Sequence, residues 1–267
     1  MTERPPHAVL LRAPARFDAK AVAAVLAGRG SLPAETLLPV VRRSWGIVAE
    51  PSPAGEAEAL ASALASAGLP AVAVPVSLLE DPPPALVVTK AELSGDGFDI
   101  LAGRGNAEHS RLVWTHLKVL SSGVVRESGL KTVAEAPSLA EKSMRLGATL
   151  ATGLPLMGAK GKTRQVVEER RTPFIDLVFA SPARRVRLLA AEFDYAALGP
   201  RMSYSAELNF RALAAELASR APAALRSRGA RALLAKAPSG ELDYESFDDV
   251  QREERWLSAL SALEAAQ

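Results

Sequence analysis

The spacing of hydrophobic positions changes character three times along this 267-residue chain. In the first eighty residues, short apolar runs alternate with helical spacing. HAVLLRA (7–13) predicts a strand. Asp18 is a candidate N-cap for AKAVAAVLAG, where Val22, Val25 and Leu26 share a face and Gly28 ends the run. ETLLPVVRRS (35–44) and WGIVAEP (45–51) follow as two further apolar pieces. Ser52 can cap a helix over 53–67 that has Pro53 just inside it, carries Ala57, Leu60 and Leu64 on one face, and stops at Gly68. AVAVPVSLL closes the set as a strand. The order β-α-β-β-α-β predicts a small ferredoxin-like α/β sandwich.

Asp81-Pro82-Pro83-Pro84 breaks the pattern. Three consecutive prolines suit neither a helix nor a central strand, so a domain boundary is placed there. Beyond it the period becomes two. ALVVTKAEL and GFDILAG, joined by SGDG (94–97), predict a hairpin. RLVWTHLKVL alternates, with Val113, Thr115, Leu117 and Val119 on one face and Trp114, His116 and Lys118 on the other. The stretch 127–172 lacks strong periodicity and predicts a long inserted loop. TPFIDLVFA and RRVRLLAAEFDY then return as strands that turn at Ser181-Pro182. Ser205 can cap a helix carrying Phe210, Leu213 and Leu217 on one face. Ser246 with Asp249 can cap a last helix over about 246–264. The predicted division is a small α/β domain (1–80), an antiparallel α+β domain (85–240) and an acidic C-terminal helix (241–267).

Composition narrows the chemistry. There is no cysteine, which excludes disulfides, thiolate catalysis and cysteine metal sites. No apolar run approaches the roughly 20 residues needed to span a bilayer, and the N-terminus lacks a signal-peptide core. The expected location is the cytoplasm. The net charge of +2 conceals a polarity: residues 151–240 carry fifteen basic and seven acidic side chains, whereas residues 241–267 carry two and eight. The acidic tail is expected to dock near the basic region or to form a solvated helix.

Two segments mimic phosphate-binding motifs and fail at named positions. MGAKGKT (157–163) ends like a P-loop, but Leu156 stands where the motif requires glycine. GRGNAE (103–108) begins like a dinucleotide fingerprint, but Glu108 occupies the third small position. His7, His109 and His116 are the only histidines and have no ligand spacing, so neither a metal nor a cofactor is expected. Glu192 and Asp194 flank Phe193 and read as a turn cap or as partners of nearby arginines. The remaining signal is basic: Lys160, Lys162, Arg164, Arg170, Arg171, Arg184, Arg185 and Arg187, with Arg185 and Arg187 on one strand face. Trp114 and His116 form a candidate aromatic surface.

Gly46–Val74, an alanine-rich helix leading through glycine into a short strand, resembles the helix–strand half of ribosomal-stalk-type α/β modules. The strand RLVWTHLKVL followed by a long loop and a terminal helix resembles a pleckstrin-homology or GRAM-type barrel. That resemblance implies a bent antiparallel sheet plugged by a helix, with loop cations gathering an anionic headgroup. The expected fold class is therefore α+β. The expected function is a non-enzymatic binding or regulatory protein whose partner is a protein, an anionic ligand or a membrane surface. Nucleic acid is not expected, because the basic residues are not interleaved with exposed aromatics. The alternative is an enzyme assembled from dispersed residues, among them Asp176, Arg187, Asp194 and Tyr195.

Overall fold

The computed structural model describes residues 5–14, 17–105, 109–134 and 163–266. Residues 1–125 and 172–267 make one compact unit, and 126–171 make a second. The predicted loop 127–172 begins and ends as strand. β7 (Leu117–Ala134) enters it and β8 (Thr163–Ala180) leaves it, while the apolar stretch 146–157 lies outside the described residues.

The N-terminal segment forms β1 (His7–Leu11), α1 (Ala19–Ala27), α2 (Ala34–Ser44), β2 (Ile47–Ser52), α3 (Ala54–Ser66) and β3 (Ala71–Pro75). The strands make an antiparallel sheet in the order β2-β1-β3. This departs from the ferredoxin-like expectation. ETLLPVVRRS is the helix α2, so the sheet has three strands where that order requires four. The reason is in the spacing: Ala34, Leu37, Leu38 and Val41 follow i, i+3, i+4, i+7 and turn into the core, while Val40 is exposed. Asp18 caps α1 as expected, its Oδ1 accepting from the backbone N–H groups of Lys20 at 2.9 Å and Ala21 at 3.1 Å. Ser52 ends β2 instead of capping α3, whose N-cap is Pro53.

The second sheet has the strand order β10-β7-β8-β9-β4-β5-β6, with β11 (Asp243–Tyr244) also pairing β7. β4 (Ala85–Leu93) and β5 (Gly97–Gly103) are the predicted hairpin, and β6 (Ser110–Val113) continues it antiparallel. β9 (Ala183–Leu189) pairs antiparallel with β8 and parallel with β4. The path runs from β10 (Leu225–Arg226) to β6 without closing, so the described strands form an open sheet and not a barrel. RLVWTHLKVL is not one strand. A 3-10 turn over Trp114–His116 separates β6 from β7, which puts Trp114 in the core and leaves Val113 exposed.

Helices cover both faces of this sheet. Ile175, Leu177 and Phe179 of β8 and Val186 and Leu188 of β9 share a core with Phe210, Leu213 and Leu217 of α4 (Ala206–Arg220) and Leu233 of α5 (Arg228–Leu234). Ser205 caps α4, its Oγ accepting from Leu208 N–H at 3.3 Å. On the opposite face lies α6 (Phe247–Ala265), capped by Ser246. Trp256, Leu257 and Leu260 of α6 join Val119 and Val178 of the large sheet to β1 and α3 of the small one in a single core. Each of these three side chains contributes about 1.5–3 kcal/mol by leaving water.

Candidate functional site

The acidic C-terminal segment docks on the basic one, and the contact is internal. Asp176 of β8 lies opposite Arg187 of β9, and Val178 lies opposite Arg185, so the three charged side chains share a sheet face. Arg187 grips Asp176 with a fork, Nε to Oδ1 at 2.8 Å and Nη2 to Oδ2 at 2.6 Å. Arg185 Nη2 lies 2.9 Å from Asp176 Oδ2, and its Nε lies 2.8 Å from Glu254 Oε2 of α6. The Phe247 ring, two turns earlier on α6, sits 3.7 Å from the Arg187 guanidinium. Asp176 and Glu254 are completely buried. Burial, and then the nearby Asp176 carboxylate, push the Glu254 carboxyl well above the usual glutamate range against the pull of Arg185 and Arg187.

The predicted basic patch is therefore divided. Arg185 and Arg187 are structural cations inside the molecule. Arg184 is half-buried and donates to Ser110 Oγ at 3.0 Å. Arg170 and Arg171 are exposed on β8. Lys160 and Lys162 lie outside the described residues, as does the side chain of Arg164. Trp114 and His116 do not share a surface. Trp114 is buried edge-on to Phe98, and its Nε1 donates to the Ser94 carbonyl oxygen at 3.1 Å. His116 Nδ1 lies 2.7 Å from the Ser181 carbonyl oxygen.

Of the residues proposed for a dispersed enzyme site, Asp176 and Arg187 meet in the buried fork. Asp194 caps the turn after β9 by accepting from Ala196 N–H at 3.0 Å. Tyr195 donates to the Ala190 carbonyl oxygen at 2.9 Å, and burial pushes its phenol up to about 12. Glu192 accepts from Arg104 Nε at 3.0 Å. No group of three His, Asp or Glu among the described residues could hold a metal ion.

A different constellation gathers where α2 ends, α5 begins and α6 begins. It lines a groove of about 550 Å³ formed by Phe17, Pro39, Arg42, Arg43, Trp45, Arg228, Asp243, Tyr244, Glu245 and Asp249. Trp45 ends α2 in the left-handed conformation, φ 50° and ψ 38°. For a bulky residue this costs on the order of 1–3 kcal/mol and persists only where surrounding contacts demand it. Those contacts are present: Trp45 Nε1 donates to Asp249 Oδ1 at 3.3 Å, and its ring lies 5.3 Å from that of Tyr244. The Arg228 guanidinium lies 5.0 Å from the Trp45 ring centre and 5.3 Å from that of Tyr244. Gly46 follows Trp45 at φ +87°, with the Trp256 ring packed where a Cβ would stand.

The floor of the groove is tied down by hydrogen bonds. The Tyr244 hydroxyl donates to Glu253 Oε2 at 2.7 Å and accepts from Gly229 N–H at 3.3 Å, while Glu253 Oε1 accepts from Arg228 N–H at 2.6 Å. Burial raises the Glu253 carboxyl, and these donors oppose the shift. The rim is open: Arg42 and Arg228 are exposed, and Arg43 pairs with Glu245 at 2.8 Å with both side chains well exposed. A larger hollow of about 770 Å³ is lined by Pro5, Pro6, Pro51, Pro53 and small residues, and among the described residues no ionisable side chain stands on its wall. The sequence pattern does not reveal the groove, because its members come from four separate segments and no short motif joins them.

No protein-family model, curated protein or solved structure matches this chain.

Proposed function

We propose that this chain is a non-enzymatic binding or regulatory protein that holds an anionic ligand or partner. The observation that carries this reading is the groove at the end of α2, where three arginines border a fixed Trp45–Tyr244 floor. Concave sites of this size with a few convergent polar groups are the usual form of a ligand site. The cations that dominate the sequence signal at 185 and 187 are consumed by Asp176 and Glu254, which moves the reading from the 160–187 segment to this groove. Arg170, exposed on β8, is a second contact for a membrane or protein partner in the same reading.

The test is thermal unfolding against a panel of small anions and of vesicles containing anionic lipid. A ligand that binds only the folded state raises the midpoint, by about 2.7 kcal/mol of stability at a hundredfold excess over Kd. At least one anion is expected to raise the midpoint, and the double change Arg42→Glu and Arg43→Glu is expected to abolish that rise. If no anion moves the midpoint, or the double variant responds as the parent does, the reading is wrong.

A further inference from the structure

We infer that the groove recognises a small planar anion, a flat ring bearing a carboxylate or phosphate; this rests on the binding reading above and names its ligand class. Three observations converge. First, the half-buried Trp45 ring and the exposed Arg228 guanidinium lie 5.0 Å apart on the groove wall, and the buried Tyr244 ring backs both, 5.3 Å from each. Guanidinium and indole planes both accept a stacked ring, and the volume of about 550 Å³ suits a ligand of that size.

Second, the floor is organised in advance. Trp45 is held in a strained backbone conformation and tied to Asp249, and Tyr244 is anchored from beneath by Glu253. A ligand therefore does not have to order these side chains, which removes part of the entropy cost of binding.

Third, the charge balance on the rim favours an anion. Asp249 is 7% exposed and engaged with Trp45 and Ser246, so it presents little charge to the groove. Glu245 is matched by Arg43 in an exposed pair, and such pairs are weak enough to open. Arg42 is exposed and makes no hydrogen bond or ion pair among the described residues. Asp243 also lines the groove, half-buried and engaged within the fold, so carboxylates and arginines are equal in number there, and the exposed charge that the Arg43–Glu245 pair does not cancel is that of Arg42 and Arg228.

The test follows Trp45 by fluorescence. Trp114 and Trp256 are 5% and 2% exposed, so a bound ring in the groove reports chiefly through Trp45. The probes are adenosine monophosphate and nicotinate, neither of which emits in the tryptophan window, one arm for a phosphate and one for a carboxylate. Adenosine and inorganic phosphate supply the ring without the charge and the charge without the ring. At least one charged ring is expected to shift the emission saturably, at a concentration at least tenfold below either control. Arg42→Glu, an exposed change at the end of a helix, is expected to weaken it at least tenfold while leaving the circular dichroism unchanged. Loss of saturation for both charged rings, equal binding of either control, or an undiminished response in Arg42→Glu overturns the assignment. An inorganic anion or a vesicle that raises the unfolding midpoint while both charged rings leave Trp45 unmoved sinks the planar-anion class and spares the binding reading. Silence in both experiments sinks both.

Discussion

Arg187 shows how much a single side chain carries when its partner is buried. Asp176 has no exposure, and the Arg187 fork is its main compensation. Arg187→Ala should cost about 3–5 kcal/mol, because a carboxylate out of water loses its fork and keeps only Arg185, which Glu254 shares, and the cost is checked by chemical denaturation. Glu254 behaves differently. Its carboxyl is raised, so the folded state keeps a proton that the unfolded chain releases above the usual glutamate value. Its contribution is therefore fully present below that value and declines as pH rises toward the folded one, by about 1.4 kcal/mol per pH unit within the window. Glu254→Gln retains the shape without the titration. The parent should lose stability relative to Glu254→Gln as pH rises from 5 to 8, and parallel pH curves for the two proteins would count against a raised Glu254. The period-two spacing places Arg185 and Arg187 on one strand face, and that much is legible in the sequence. That the face is internal is not, because the helix covering it comes from the far end of the chain.

At the scale of an element, the junction from α2 to β2 decides the shape of the groove. The apolar run LLPVV, interrupted by Pro39, reads as extended, yet Ala34, Leu37, Leu38 and Val41 already carry helical spacing, and packing against the small sheet selects the helix. Arg42 and Arg43 fall in its last turn, where cations offset the helix dipole, so the same residues serve the helix end and the groove. The turn from Trp45 into β2 depends on glycine. Gly46 has φ +87°, and a Cβ there would stand 2.1 Å from the Trp256 ring. Gly46→Ala must strain the backbone and displace Trp256 together, so a loss of about 2–5 kcal/mol is expected in denaturant titration. An equally stable Gly46→Ala variant would mean that Trp256 is not wedged against this turn. The caps at Asp18, Ser205 and Ser246 and the hairpin of β4 and β5 are readable from sequence because each is a local device. The break at Trp114 is not, since alternation alone cannot show where a strand leaves the sheet.

For the whole molecule, α6 changes the meaning of the proline run at 82–84. By composition that run separates a domain of eighty residues from the remainder. In the structure, the core of the three-stranded sheet is completed by Trp256, Leu257 and Leu260, which arrive from the C-terminal end. Polar contacts repeat the connection. Arg255 forks onto Glu50, Nη1 to Oε2 at 2.7 Å and Nη2 to Oε1 at 2.6 Å, and its Nε reaches the Leu79 carbonyl oxygen at 3.0 Å. Trp256 Nε1 donates to the Leu11 carbonyl oxygen at 2.8 Å, and Arg231 Nη2 to that of Pro14 at 3.1 Å. A chain ending at Pro84 exposes the face of β1 and α3 that α6 covers, and a sheet of three short strands has little apolar surface to spare for so large a loss. The fragment 1–84 should therefore show no cooperative thermal transition by circular dichroism, whereas the full chain unfolds residues 1–84 together with α6. A sharp transition in the isolated fragment would restore the proline run as a true domain boundary, with α6 an accessory to a sheet already stable on its own.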